Sequence, residues 1–131
     1  MKKALFLIIT ANLLLLAGAP RAFAQEPQEP DIDKIVSNQI ENLTKTFKLD
    51  EIQVFYVDSI LNHDYKAMQA ELKVLQDQKV SNTDMYYDIQ YKWQDSIYEA
   101  FQKIFDEDQW AKYLKTGAAR DKKTRDKKRA K

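Results

Sequence analysis

The 131-residue chain contains no cysteine, only two glycines and three prolines, and a single histidine. Without cysteine it has neither a disulfide framework nor a thiol nucleophile, so its stability has to come from packing. The two helix-breaking residue types are confined to the ends, since neither glycine nor proline occurs between residues 31 and 116. A stretch of this length, rich in Glu, Gln, Lys, Leu and Ala, predicts an all-helical domain with short polar turns.

The first 24 residues have the composition of a secretory signal peptide. Lys2 and Lys3 form a basic start, an apolar run occupies 4–19, and 22–24 reads Ala-Phe-Ala, a small-x-small cleavage site. A retained membrane anchor is the alternative, but the run is shorter than the roughly 20 residues of a spanning helix. No cysteine follows the site, which excludes a lipoprotein. We expect export, to the periplasm in a cell with two membranes, with cleavage after Ala24.

Charge is divided unevenly along the rest of the chain. From residue 25 onward there are 18 Lys or Arg against 20 Asp or Glu, a net of −2. Residues 120–131 hold eight Lys or Arg and two Asp, a net of +6, which leaves −8 for 25–119. Residues 120–131 contain one Ala and no other apolar residue, so they cannot bury a core face, and a disordered basic tail is predicted over 117–131.

Several roles remain open for this basic tail. It could simply keep the protein solvated, or it could be attracted to an acidic partner, to an anionic membrane surface, or to the acidic body of the same chain. Export argues against nucleic acid as the target.

Apolar residues at spacings of three and four predict about four helices, over 31–47, 50–79, 84–104 and 107–115. A short extended segment, 25–30, precedes the helical domain, 31–116. The second helix is long and central, and its first three turns are apolar nearly all round. This pattern predicts a base buried in a bundle and a tip that forms one side of a hairpin. Gly117 is placed to end the fourth helix. Four short stripes make a thin core, so a homodimer is expected.

A short pattern occurs twice: an apolar residue, an Asp directly after it, and a Gln three residues after the Asp. The two copies are Leu49-Asp50-Glu51-Ile52-Gln53 and Phe105-Asp106-Glu107-Asp108-Gln109. In such a pattern the Asp carboxylate accepts from a free backbone N–H of the first helical turn, and the Gln side chain bonds back to the Asp N–H. This is a capping box with Asp in place of Ser or Thr. The preceding apolar residue, Leu49 or Phe105, can form a hydrophobic staple with Val54 or Trp110.

These two copies, on an exported helical chain, resemble the LTxxQ repeats of the Spy/CpxP family of small exported helical proteins. The resemblance covers most of residues 31–116. Asp50 and Asp106 stand where the family usually has Thr, and Phe105 stands where it has Leu. These changes preserve the capping and staple chemistry.

The resemblance implies a role in envelope stress without nucleotide chemistry. Members resembling Spy are cradle-shaped dimers of helical hairpins that hold unfolded exported proteins. Members resembling CpxP restrain a membrane sensor kinase, and a third branch binds metal ions. We therefore expect an ATP-independent stress chaperone that holds unfolded envelope proteins, with a signalling adaptor for a sensor-kinase domain as the alternative. An interaction protein of another purpose is a third possibility.

Aromatic and Met side chains on the long helices are compatible with client binding, because they can form an adaptable apolar surface rimmed by charge. The candidates for client or partner contact are Phe55, Tyr56, Tyr65, Met68, Met85, Tyr86, Tyr87 and Tyr91. Plain core packing is the alternative for each of them. The cluster formed by 86, 87, 91 and Trp93 is where excess exposed aromatics are first expected.

Metal and enzyme chemistry find little support in the sequence. His63 is the only histidine, and Asp64 beside it points about 100° away on a helix, so the two are not a ready chelate. No Ser-His-Asp or Cys-His set surrounds it except by chance, and there is no glycine-rich phosphate loop. We expect no enzyme, no cofactor and no metal.

Overall fold

The computed structural model describes residues 29–130, which contain helices and no strand. The predicted signal peptide and its cleavage site lie outside the described residues. The helices are α1 (Ile32–Phe47), α2 (Glu51–Asp77), α3 (Thr83–Ile104), α4 (Glu107–Tyr113) and α5 (Ala119–Arg129). The predicted all-helical fold class is confirmed, with one helix more than the sequence indicates.

Helix α1 forms because its apolar residues recur on one face. Ile32, Val36, Leu43 and Phe47 are buried and follow the predicted stripe. Asp33 in the first turn and Lys45 in the last match the helix dipole, though each contributes only a few tenths of a kcal/mol, roughly. Helix α1 packs on α2 and also contacts α4.

Helix α2 is 27 residues long and so spans about 40 Å. It packs most extensively on α3, and the two helices form the predicted hairpin. Buried residues continue along α2 to Leu72 and Leu75 near the turn, so the core reaches the tip of the hairpin.

Helices α1 and α2 both end at a lysine in place of the usual glycine. Lys48 and Lys79 have φ angles of 54° and 55°, in the left-handed region. At the end of α2 the N–H of Val80 donates to Leu75 O over 2.9 Å, the long backbone bond of a Schellman motif. The chain thus ends helices without glycine, at a cost of about 1 kcal/mol for each left-handed non-glycine residue.

Gly117 lies where α4 gives way to α5. Helix α4 continues through an irregular turn, Leu114–Ala118, and Gly117 within this turn has φ 107°. A side chain there would be strained by the backbone conformation and would also approach the Arg120 guanidinium. The predicted end of the fourth helix is therefore a change of direction, after which a further helix follows.

The basic tail differs from its prediction. In place of disorder over 117–131, residues Ala119–Arg129 form α5. Composition alone predicts disorder because the segment has no apolar face, but the structure supplies a counter-charge from α3, described below. In the structure the tail is bound to the acidic body of the same chain, which is one of the alternatives that the sequence leaves open.

The base of α2 also differs from its prediction. Val57 and Leu61 are fully buried, whereas Ile52, Phe55 and Tyr56 in the same three turns are exposed. The apolar residues surround the helix as the sequence indicates, but neighbours cover only one side of it.

Candidate functional site

The two capping boxes form at the predicted residues. In the first, the Asp50 carboxylate accepts from the Gln53 N–H over 2.7 Å, and Gln53 Oε1 accepts from the Asp50 N–H over 3.0 Å. In the second, Asp106 and Gln109 make the same bonds over 2.8 and 3.0 Å. Helices α2 and α4 therefore begin where the sequence predicts.

The structure also brings the two boxes together, which the sequence did not indicate. Gln53 Nε2 donates to Gln109 Oε1 over 2.6 Å, and Gln109 Nε2 donates to Gln53 Oε1 over 3.2 Å. Each amide nitrogen also donates to the carbonyl of the last residue of the helix that precedes the other box: Gln53 to Ile104 O, at the end of α3, at 3.0 Å, and Gln109 to Phe47 O, at the end of α1, at 3.1 Å. These bonds use the two donors and both lone pairs of each side-chain amide. We call this pair of glutamines and their partners the glutamine junction.

Aromatic rings consolidate the same end of the bundle. The Phe105 ring centroid lies 5.7 Å from Phe47, 5.0 Å from Phe101 and 5.6 Å from Tyr113. These side chains come from α1, from α3 and its cap, and from α4, so the cluster joins three helices. Burial raises the pKa of Tyr113, which keeps its hydroxyl protonated. The glutamine junction and this cluster are structural features that hold the two repeats in place.

One face of α2 carries three large apolar side chains in contact with solvent. Ile52, Phe55 and Tyr56 are 69%, 66% and 52% exposed, at spacings that put them on one side of the helix. The rings of Phe55 and Tyr56 meet edge to face, with centroids 5.5 Å apart. Single exposed apolar residues are ordinary, but a group of this kind is not. We call these three residues the α2 apolar face.

Two of the predicted contact residues are core residues instead. Tyr65 and Met68 are 5% and 4% exposed, because both lie on the inner stripe of α2. The Tyr65 hydroxyl donates to Gln39 Oε1 over 2.7 Å, and burial raises the pKa of Tyr65 to about 12. Their prediction as surface residues is wrong, since helix spacing alone does not tell which apolar stripe meets a neighbour.

The predicted contact residues of α3 are divided between surface and partial burial. Met85 and Tyr87 are exposed, whereas Tyr86 and Tyr91 are half-buried. The Tyr86 hydroxyl donates to Val80 O over 2.7 Å and so secures the hairpin turn. Tyr87 stacks on Tyr91 with centroids 5.9 Å apart. Of the eight predicted residues, two thus lie on the α2 apolar face, two lie in the core, and four lie on α3.

A carboxylate of α3 holds α5 in place. Asp95 is 7% exposed. Its Oδ1 accepts from Arg125 Nε over 2.7 Å and from Lys122 Nζ over 3.3 Å, and its Oδ2 accepts from Arg129 Nη1. Arg125 is itself buried. Three cations spaced along one stripe of α5 therefore converge on a single carboxylate; we call these four residues the Asp95 cluster.

Aromatic rings on α3 also lie close to cations of the tail. Lys128 Nζ lies 5.4 Å from the Tyr87 ring centroid and 5.7 Å from that of Tyr91. Lys122 and Arg125 lie 5.8 and 5.9 Å from the Tyr98 centroid. These distances are within the range of cation–π attraction, so the rings reinforce the hold of Asp95 on α5.

Two opposing effects set the pKa of Asp95. Burial disfavours its charged form, but the hydrogen bond and charge of Arg125, with Lys122, outweigh burial and hold the pKa of Asp95 below its ordinary value of 3.8. The stabilisation that ionised Asp95 gives to the docked α5 is therefore complete above pH 3.8, the ordinary pKa, and it disappears as the pH falls through the lower pKa of the folded state.

We accordingly expect α5 to stay docked from neutral pH down to the ordinary aspartate range and to detach only below it. The helical circular dichroism signal of α5 should be lost in that acidic window, and the Asp95→Asn variant, which lacks the titrating group, should show no such step. A detachment centred above the ordinary aspartate pKa would contradict this prediction.

The single histidine lies beside Asp64 and near the ring of Trp93. His63 Nδ1 lies 2.8 Å from Asp64 Oδ1, so the adjacent pair meets despite its unfavourable helical angle. Ser96 Oγ donates to Asp64 Oδ2 over 2.8 Å. The carboxylate thus lies between the hydroxyl and the imidazole, and this order does not place the imidazole to take the Ser96 proton. Asp64 is buried, and these two bonds satisfy it.

Across the described part of the chain, no three His, Asp or Glu side chains form a group that could hold a metal ion. None of the helices within 29–130 combines the length and the hydropathy needed to cross a membrane.

The sequence does not indicate the role of two residues on these surfaces. Its apolar pattern predicts that Ile52 belongs to a buried base, and no pattern distinguishes Asp95 from the other acidic residues. A signal for the second was present, because Lys122, Arg125 and Arg129 fall at helical spacings and so predict a cationic stripe. Nothing in the sequence indicates which acidic residue would face that stripe.

Comparison of the chain with models of protein families, with curated proteins and with solved structures gives no match. The resemblance to the Spy/CpxP family therefore stays a prediction based on the two capping boxes.

Proposed function

We propose that this protein is an exported, ATP-independent holding chaperone that binds unfolded polypeptides on the α2 apolar face. The observation that carries the proposal is the exposure of Ile52, Phe55 and Tyr56 side by side on one helix. A folded protein normally buries side chains of this size, because each contributes about 1.5–3 kcal/mol when it leaves water. Their exposure leaves that free energy available to a bound partner.

The chemistry of the face suits many partners more than one. Its three side chains offer apolar area and, apart from one hydroxyl, no polar group that would fix the orientation of a ligand. Ordering a flexible client offsets much of the gain from burial, so we expect micromolar or weaker binding. Weak binding allows clients to be released without ATP.

Acidic residues flank the face. Asp50, Glu51 and Asp58 are exposed on the same part of the chain. Their charges favour solubility and attract basic segments of clients, and salt weakens that attraction. The protein therefore combines a short-range apolar contact with a longer-range electrostatic one.

The test is suppression of aggregation of a chemically unfolded model protein by the purified chain, residues 25–131, at near-equal molar ratio without ATP. We expect suppression by the wild type. The double variant Phe55→Ser, Tyr56→Ser should need at least about tenfold more protein for the same suppression. A loss of 1.4 kcal/mol of binding free energy already corresponds to a factor of about ten. Both residues are exposed, so this variant should keep its helicity and its unfolding temperature.

Val74→Ser is the matched control, because Val74 is also exposed on α2 but lies near its far end. It should suppress aggregation as well as the wild type. No suppression by folded wild type at several-fold excess would remove the chaperone proposal and favour the signalling adaptor. Sedimentation of the same samples would show whether the α2 apolar face instead joins two copies of the chain.

A further inference from the structure

Helix α5 is held to the bundle without any apolar side chain larger than that of alanine. Its sequence from Ala119 to Arg129 contains one alanine and no larger apolar side chain. Hydrophobic burial therefore cannot account for its position. The interactions that place it on α3 are the Asp95 cluster and the cation–ring contacts of its lysines and arginines.

The surface of α3 that receives these cations is a stripe of four residues. Tyr87, Tyr91, Asp95 and Tyr98 recur at intervals of four, four and three, which places them along one side of the helix. A carboxylate and aromatic ring faces are the two kinds of side-chain group that attract Lys and Arg most directly. We call this stripe the α3 acceptor face. Its side chains would attract cationic groups of any polypeptide, whether or not they belong to α5.

The contact also has the properties of an exchangeable one. Several long side chains share one carboxylate, and Lys122 and Arg129 keep part of their surface in water. These two partly exposed contacts are weakened by salt and can be lost one at a time, whereas the buried Arg125–Asp95 pair is screened less. No apolar residue must leave a core for α5 to detach.

We propose that the α3 acceptor face is a binding site for Lys- and Arg-rich helical segments of other polypeptides, and that the chain's own α5 occupies it until such a segment displaces it. The preferred segment carries its cations at the spacing of Lys122, Arg125 and Arg129. This site is separate from the α2 apolar face. Its partner is a basic segment, whereas the α2 apolar face binds apolar segments of clients.

The tether of α5 sets the strength of the competition. A segment joined by a short linker has an effective concentration of about millimolar, so a free peptide competes poorly with it. Removing the cations of α5 while keeping the full chain should therefore open the site. The variant for this purpose is Lys122→Gln, Arg125→Gln, Arg129→Gln, the open variant.

The experiment measures binding of a fluorescent peptide with the sequence of residues 119–130 by anisotropy at low salt. The open variant should bind it at least about tenfold more tightly than the wild type, because the tethered competitor is gone. Adding Asp95→Asn to the open variant should abolish binding, whereas adding Asp77→Asn, an equal change of charge at the end of α2, should not.

A second peptide of the same composition, with its Lys and Arg moved off one helical stripe, tests whether a site is recognised or only net charge. It should bind the open variant at least about tenfold more weakly than the first peptide, a difference of 1.4 kcal/mol. Equal binding of the two peptides, or an open variant that is helical yet binds no better than the wild type, would overturn the proposal.

The unmodified chain supplies an independent measurement that does not depend on the folding of a variant. Excess unlabelled peptide, at about millimolar concentration to match the tether, should raise amide hydrogen exchange across residues 119–129. Unchanged exchange would overturn the proposal. Aggregation suppression by the open variant should equal that of the wild type, so failure of this inference and failure of the chaperone proposal are distinguishable.

Discussion

Replacing Gln109 by Ala should lower the free energy of unfolding by about 2–4 kcal/mol, the largest effect expected from any single polar residue here. The substitution removes the acceptor of the Asp106 N–H and the donor to Phe47 O. It also leaves both side-chain atoms of Gln53 without their partner across the glutamine junction. These groups are partly buried, so each lost bond costs desolvation that water does not fully restore. Chemical denaturation followed by circular dichroism measures the change.

The coupling between the two repeats is tested by a double-mutant cycle with Gln53→Ala. Each single variant leaves one glutamine unsatisfied, whereas the double variant leaves none. We therefore expect the double variant to be less destabilised than the sum of the two single variants, by roughly 1–2 kcal/mol. Gln102→Ala, an exposed site on α3, is the control and should change stability by less than about 0.5 kcal/mol. Additive effects would show that the capping boxes act separately.

The glutamine junction also shows how far the sequence could be taken. A capping box involves residues three positions apart, so both boxes and the starts of α2 and α4 were predictable from local chemistry. The bonds between Gln53 and Gln109 join residues 56 positions apart. Local patterns contain no information about such a pair, although two copies of one motif in a short chain are compatible with it.

The α2 apolar face illustrates a second limit. Helical periodicity places apolar residues on several sides of α2, but it does not tell which of those sides have neighbours. The residues concerned are Ile52, Phe55, Val57 and Leu61. When apolar residues surround a helix, burial on all sides is the ordinary expectation. The structure covers Val57 and Leu61 and leaves the other two in solvent. Tyr65 and Met68 show the converse for the same reason: the sequence offers them as contact residues, and the structure buries them.

The tail illustrates a third limit, in which composition predicts the isolated segment and not the folded chain. A segment with net positive charge and no apolar face has no reason to fold alone. Asp95, 30 positions from Arg125, changes that result by neutralising part of the charge from outside the segment. The sequence contained both partners, but only the packing of α3 shows that they meet.

Asp95→Asn should therefore unfold α5 while leaving the remaining helices intact. An isolated helix of 11 residues is marginal in water even with favourable residues, and α5 carries mutually repelling cations. Loss of the charge also leaves the buried Arg125 guanidinium without its counter-ion. Because Lys122 and Arg129, the other two cations of the cluster, keep part of their surface in water, we expect a cost of about 2 kcal/mol, below the range for a fully buried pair.

Amide hydrogen exchange is the measurement that separates this local effect from global destabilisation. In Asp95→Asn, residues 119–129 should exchange at nearly the rates of an unfolded chain, while the cores of α1, α2 and α3 keep their protection. Asp77→Asn should leave the whole pattern unchanged. Persistent protection of 119–129 in Asp95→Asn would mean that the rings of Tyr87, Tyr91 and Tyr98 suffice to hold α5. The α3 acceptor face would then depend on cation–π attraction. High salt should in that case release α5 less readily than it would if the Asp95 carboxylate held the helix.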